Sequence, residues 1–241
     1  MFRFLYLDVG NFKTDLMNSI TKKSLILIFI VLLIDQLLKI YIKTNYTYNQ
    51  ITFLFGLDWA RIHFVENKGM AFGWEIDWTY GKLLLSLFRI VAISLLVVYI
   101  KQLIKEGFGF SLISCFVLIL AGAIGNMIDS AVYGLIFNES LFSEPAQWTI
   151  NNPDIKGYAD FLHGRVVDMF HFPIINGTAP EWMPVIGGKH VEFFKPIFNV
   201  ADAAISIGVF NLLLFNFSYF KSNEVPKGTE ETQSSKEEVS E

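Results

Sequence analysis

Apolar residues in this chain run in blocks too long for the interior of a water-soluble domain. Four stretches, 24–43, 81–101, 109–128 and 196–220, are almost wholly apolar, and each reaches the roughly 20 residues that a helix needs to cross a bilayer. The pattern predicts four transmembrane helices and therefore both termini on one side. Lys22 and Lys23 precede the first block in the manner of a signal peptide. That block is too long for one, carries Asp35 and Lys39, and is not followed by a small-residue cleavage site, so it reads as a retained helix. Basic residues flanking short segments set orientation. Lys13, Lys22, Lys23, Lys101, Lys105, Lys221 and Lys227 place their segments in the cytoplasm, although Lys43, Arg61 and Lys68 dilute the bias.

Two long connections, 44–80 and 129–195, then face outward. The stretch 51–64 mixes β-branched and aromatic residues, and Arg61-Ile62-His63-Phe64 alternates polar with apolar, which predicts short strands lying on the membrane surface. In the second connection Pro145, Pro153, Pro173, Pro180, Pro184 and Gly187-Gly188 predict turns and short elements. Trp148, Tyr158, Trp182, Phe193 and Phe194 are candidates for an interfacial aromatic belt. The expected organisation is a cytoplasmic N-terminal segment 1–23, a four-helix membrane domain 24–220 and a polar, disordered cytoplasmic tail 221–241.

Composition sharpens this picture. Of 241 residues 53% are hydrophobic and 17% charged, where soluble domains carry about 25%. The formal net charge of −4 leaves no basic footprint for nucleic acid. The single cysteine, Cys115, lies in an apolar run, which excludes an internal disulfide and a cysteine metal cluster and marks it as a packing residue.

Charges inside apolar spans are costly and signal pairing or function. Asp35 and Lys39 stand four apart on the first helix and share a face, and Arg89 on the second span falls at a similar depth. The three could form a mainly structural triad, or Lys39 or Arg89 could contact an anionic lipid head group. Gly122, Asn126 and Asp129 lie on one stripe of the third helix, and Asn199 and Asp202 on one face of the fourth. Each stripe pairs an amide with a carboxylate, which suits acid–base chemistry but also suits hydrogen bonding between helices, worth about 0.6 kcal/mol each. Asp168, after the doublet Val166-Val167, and Asp202, at the start of the last span, both fall near the outer boundary. Two carboxylates held close share one proton, so one can take a proton from water while the other serves the substrate carbonyl. His63, His163, His171 and His190 lie in loops without HExxH spacing, and neither a GxSxG elbow nor a Walker loop is present. His163 and His171 flank Asp168 and could bind a metal, but solvated or turn-capping roles fit them better. No metal or cofactor is expected.

Four segments, in order, resemble the signatures of lipoprotein signal peptidases: Asp35-Gln36-Leu37-Leu38-Lys39; Asn67-Lys68-Gly69-Met70-Ala71-Phe72-Gly73; the segment from Gly122 through Asn126 to Asp129; and Gly164-Arg165-Val166-Val167-Asp168-Met169-Phe170 together with Phe198-Asn199-Val200-Ala201-Asp202. The resemblance spans residues 24 to about 220. It implies a multi-pass aspartic endopeptidase of the bacterial cytoplasmic (inner) membrane, with its active site at the outer, periplasmic face. Its substrates would be prolipoproteins, cut just before a cysteine that already carries a diacylglyceryl group. By matching motif, Asp168 and Asp202 are the catalytic pair. Asn67, Gly69, Gly122, Asn126, Asp129, Asn199 and Ala201 surround them, and Asp35 and Lys39 shape the site. The implied fold is an all-α membrane protein of four helices, with a small extracytoplasmic β-sheet and extended outer loops. The expected partners are lipidated prolipoproteins and membrane lipid, and the expected state is a monomer.

The chain departs from that pattern in residue type at Met70, a modest change, and at Ser130, and in length in two segments. Ser130 stands where the family usually has arginine after the aspartate of the third motif, so the missing charge must be absent or come from another residue, Arg165 being the candidate. Residues 135–162 read as an insertion, with Trp148, Tyr158 and Phe161 giving it apolar weight, and are expected to pack on the outer surface and help close the site. Residues 171–195 also read as extended. Two other classes share this hydropathy: a small transporter or proton-coupled channel lined by Asp35, Arg89, Asp129 and Asp202, and a membrane scaffold needing no aspartate pair. Mutation of Asp168 and Asp202 separates the three.

Overall fold

The computed structural model describes residues 2–67, 81–150, 152, 154–185, 187–216 and 219. Gly69 with the motif residues around it, and the tail 221–241, lie outside the described residues. A single helix α1 covers Phe2–Asn45, so the first apolar block is part of a longer rod. Helix α2 covers Gly81–Glu106. Helix α3 (Phe110–Ile128) runs on through a π-helical turn (Asp129–Tyr133) into the short α4 (Gly134–Ile136). The segments Thr14–Asn45, Gly81–Glu106 and Phe110–Ile136 are long and apolar enough to cross a membrane, and Val200–Phe215 (α5) is a shorter apolar helix. Their outward faces expose Phe29, Leu37, Phe88, Leu95, Phe210 and Leu214, the inverse of a soluble surface and what a lipid solvent allows.

The last apolar block does not begin as a helix at residue 196. Ile197–Phe198 form strand β6, paired with strand β3 (Val166–His171). Asn199 then caps α5: its side chain accepts from the Asp202 amide, and the Asp202 side chain accepts from the Asn199 amide. That reciprocal capping satisfies two otherwise orphaned donors and fixes where the helix starts.

Helix α3 is the hub, packed against α1, α2 and α5. Small residues let two backbones touch: a Cβ at Gly122 would stand 2.2 Å from the Ala201 carbonyl oxygen, and one at Gly208 would stand 2.6 Å from the Cys115 carbonyl oxygen. Such close approach supplies packing between helices where water gives no hydrophobic drive. Cys115 itself is buried in this core with Leu112, Phe116 and Leu212.

The two long connections carry the predicted strands. Strand β1 (Ile51–Phe53), β2 (Arg61–Asn67), β3 and β6 form one antiparallel sheet in that order, with Val65 opposite Asp168 and Asn67 opposite Val166. Strands β4 (Ile175–Thr178) and β5 (His190–Phe193) make a separate hairpin. The architecture is thus mostly helical with a small antiparallel sheet, and the sheet carries one end of the polar cluster described next.

The insertion 135–162 is firmly attached. Phe137 is fully buried and bridges Trp148, the Ala146 amide donates to the Lys43 carbonyl oxygen, and the Tyr48 amide donates to that of Leu141. Lys43, buried at the end of α1, pairs with Glu66 of β2 and donates to Ser140 Oγ at 2.9 Å. Its ammonium lies 4.8 Å from the Tyr158 ring centre, and Tyr158 Oη accepts from the Arg165 amide at 2.7 Å. Phe161 does not add to this packing, being 59% exposed. Of the interfacial candidates, Trp182, Phe193 and Phe194 are exposed, whereas Tyr158 is turned onto the cations.

Candidate active site

A buried polar cluster joins α1, α2, α3, β2, β3 and α5, and it brings together Asp35, Lys39, Asn67, Gly122, Asn126, Asp129, Asp168, Asn199, Ala201 and Asp202. Asp168 points from the middle of β3 and is only 2% exposed. Its Oδ1 accepts from Asn199 Nδ2 at 2.7 Å and its Oδ2 accepts from Asn67 Nδ2. Strand pairing explains the Asn67 contact, since β2 and β3 run side by side there. Asp202 stands in the first turn of α5, where its Oδ1 accepts from Asn126 Nδ2 at 2.8 Å and its Oδ2 from the Asn199 amide at 3.3 Å. Asn199 therefore holds both carboxylates, one through its side chain and the other through its backbone and cap.

Burial, followed by the negative charge of Asp202, pushes the Asp168 carboxyl up from the usual carboxylate range to about 8, against the pull of Asn199, Lys39 and Asn67. A buried carboxyl beside a second one retains its proton at neutral pH.

Beneath the pair lies a wholly buried ion cluster. Lys39 Nζ donates to Asp35 Oδ2 at 2.9 Å, Asp129 Oδ2 at 2.8 Å and Asn126 Oδ1 at 3.0 Å, so all three of its protons are used. The carboxylates are tied to the frame as well: Asp35 Oδ1 accepts from the Ala201 amide at 2.9 Å, and Asp129 Oδ2 from the Val167 amide at 3.2 Å. Ala201 thus contributes its backbone and Gly122 its smallness, the two meeting at the α3–α5 contact. The expected triad changes membership, because Asp129 joins Asp35 and Lys39. Arg89 instead donates to Ser130 Oγ at 3.2 Å.

Arg165 does not take up the role left open by Ser130. Its guanidinium pairs with Glu66 and Glu139, because position 165 opens β3 at the end facing the insertion. Sequence reasoning also missed three participants. Gln36 Nε2 donates to Asp129 Oδ1 at 3.0 Å, and the Tyr133 hydroxyl donates to Gln36 Oε1 at 3.2 Å. Lys82 Nζ donates to Ser130 Oγ at 3.2 Å. A signal for Lys82 was available, since Lys82, Ser86 and Arg89 form a polar stripe at i, i+4 and i+7 on an otherwise apolar helix.

His63 and His171 lie on neighbouring strands with ring centres 5.6 Å apart, and His163 Nδ1 lies 2.9 Å from the Phe161 carbonyl oxygen. Among the described residues, no three or more His, Cys, Asp or Glu are grouped to hold a metal ion.

Comparison with known proteins fits this site. The family model for signal peptidase (SPase) II matches residues 27–218. A lipoprotein signal peptidase of Porphyromonas gingivalis is 46% identical over 189 residues, covering 78% of this chain and 80% of the relative. One from Amoebophilus asiaticus is 36% identical over 185 residues, covering 75% and 72%. A solved bacterial membrane enzyme superposes with a TM-score of 0.51 at 19% identity, covering 86% of this chain and 94% of that one, which is a likeness of fold. With the family model matched over most of its length and relatives this similar, the chain belongs to the signal peptidase II family, aspartic peptidases of bacterial membranes.

Proposed function

We propose that Asp168 and Asp202 are the catalytic pair with which this enzyme removes signal peptides from prolipoproteins. The observation that carries the reading is the double grip of Asn199, which holds Asp168 by its side-chain amide and Asp202 by its backbone amide. With the shared proton resident on Asp168, Asp202 is the member left to take a proton from the attacking water. Asp168 gives its proton to the scissile carbonyl oxygen as water adds to the carbon. Collapse of the tetrahedral species then returns a proton to Asp168, and Asp202 protonates the departing amine. Asn67, Asn126 and Asn199 orient the two carboxyls, while Lys39 with Asp35 and Asp129 anchors Asn126 from below.

The substrate is the diacylglyceryl-modified prolipoprotein, cut before the lipidated cysteine at the outer face of the cytoplasmic membrane, and the enzyme acts as a monomer. In this arrangement α5 is the fourth crossing. Its 16 residues span about 24 Å at 1.5 Å per residue, which brings the Asp202 turn to the membrane boundary where acyl chains and peptide meet. Each acyl CH₂ buried there contributes about 0.8 kcal/mol to binding.

The test is cleavage of a lipidated prolipoprotein peptide by purified enzyme. Asp168→Asn and Asp202→Asn should each lose about 10²–10⁴ in turnover, and the unlipidated peptide should be a poor substrate. Near-parental turnover in either variant would remove that aspartate from the pair. Equal rates on both peptides would remove the lipid from recognition.

A further inference from the structure

Ser130 occupies the position that follows Asp129, and its hydroxyl is fully buried. It donates to the Asn126 carbonyl oxygen at 3.1 Å and accepts from both Lys82 Nζ and Arg89 Nη1 at 3.2 Å. A hydroxyl has one proton and two lone pairs, so this one is saturated, and both of its acceptor sites are spent on cations from α2. Ser86, one turn from each cation on the same stripe, donates to the Leu162 carbonyl oxygen at 2.8 Å and fixes the rotation of α2 against the outer loop. Through Ser130 the Arg89 guanidinium is tied to the Asn126 turn of α3, and Asn126 Nδ2 in turn donates to Asp202 Oδ1 at 2.8 Å. Four carboxylates lie in the cluster: Asp35 from α1, Asp129 after α3, Asp168 from β3 and Asp202 from α5. Three cations face them: Lys39 from α1 and Lys82 and Arg89 from α2. With one proton shared by Asp168 and Asp202, the cluster is neutral.

We infer that Arg89, held by Ser130 and assisted by Lys82, is a positioning residue for the reaction, supplying the positive charge that keeps the aspartate pair in its singly ionised state. The inference rests on the Asp168–Asp202 reading above. It accounts for Ser130 itself, since one small hydroxyl accepts from both cations at once.

The sign of the effect is fixed. Removing a cation disfavours the charged form of the pair, so both proton losses move to higher pH, and the bell-shaped pH–rate profile moves with them. An opposite charge at close range shifts a carboxyl by about 1–3 pH units. Arg89→Gln should therefore shift both limbs upward by about one unit, lowering kcat by about tenfold on the acidic limb and raising it on the basic limb, with KM little changed. Arg89→Lys should keep the parental profile. Ser130→Arg in the parent, which adds a cation, should shift the profile downward, and Ser130→Arg combined with Arg89→Gln should return it toward the parent.

Profiles of Arg89→Gln and Ser130→Arg that superimpose on the parental one would overturn the inference. If Arg89→Gln does not fold, the downward shift in Ser130→Arg and the retained profile of Arg89→Lys decide the matter, and absence of that downward shift refutes it. Asp168→Asn and Asp202→Asn, measured alongside, separate the two readings. Active Asp→Asn variants dismiss the catalytic pair, whereas inactive ones with an unmoved Arg89→Gln profile dismiss Arg89 alone.

Discussion

Replacing Lys39 with methionine removes one charge from the centre of the molecule and leaves two behind. Lys39 is fully buried and donates to Asp35, Asp129 and Asn126 at 2.8–3.0 Å. In Lys39→Met the two carboxylates lose the cation that both of them touch, and Asn126 Oδ1 keeps only the donor from Asn199 Nδ2 at 3.2 Å. Breaking a buried ion pair from one side costs about 3–5 kcal/mol, a large share of a total stability of about 5–15 kcal/mol. At about 2–4 °C per kcal/mol for a chain of this size, the midpoint of thermal unfolding should fall by roughly 6–20 °C. The loss comes from stranded charge rather than a missing contact, so neutralising all three groups should recover most of it. Lys39→Met with Asp35→Asn and Asp129→Asn is the matching variant, and both should be compared with the parent in one detergent by tryptophan fluorescence on heating. A single variant melting within 2 °C of the parent, or a triple variant no more stable than the single one, would refute the reasoning.

Three further outcomes are expected. Asp168 titrates near 8 in the folded protein against 3.8 in its ordinary state, so the folded state holds a proton that the unfolded chain has released. Its contribution is fully present below about pH 4 and is lost as pH rises to about 8; Asp168→Asn should therefore gain stability over the parent progressively across that window, and parallel stability curves would contradict the shift. In Gly122→Ala the new Cβ meets the Ala201 carbonyl oxygen at 2.2 Å. Prising α3 from α5 should cost about 1–3 kcal/mol and lower kcat by separating Asn126 from Asp202, as unfolding and turnover of the same sample would show. Lys43→Met leaves Glu66 with Arg165 as its remaining cation and should cost about 1.5–3 kcal/mol while leaving the pH–rate profile in place, and a moved profile would tie the segment 135–162 to the chemistry.

Periodicity alone determined much of what this protein is. Long continuous apolar blocks read as helices in lipid, because only a helix satisfies every backbone group within one segment. The spacings 122/126/129 and 199/202 put amides beside carboxylates on helix faces before any fold was known. Alternation in 61–64 announced a strand, now seen as β2. What the chain could not show was which face meets which. Arg89 looked like a partner for Asp35 by depth, yet depth does not fix rotation, and packing of α2 turned it toward Ser130. Arg165 looked like the replacement for a missing arginine by proximity in sequence, yet strand pairing set it beside Glu66 and Glu139. Residues 196–199 continued the apolar pattern of a helix, but pairing with β3 and the Asn199 cap made them a strand and a stop. Helical and strand periods are local and written in the order of residues. The convergence of Asp168 and Asp202 on Asn199 depends on contacts between segments far apart in the chain, and only the tertiary structure decided those.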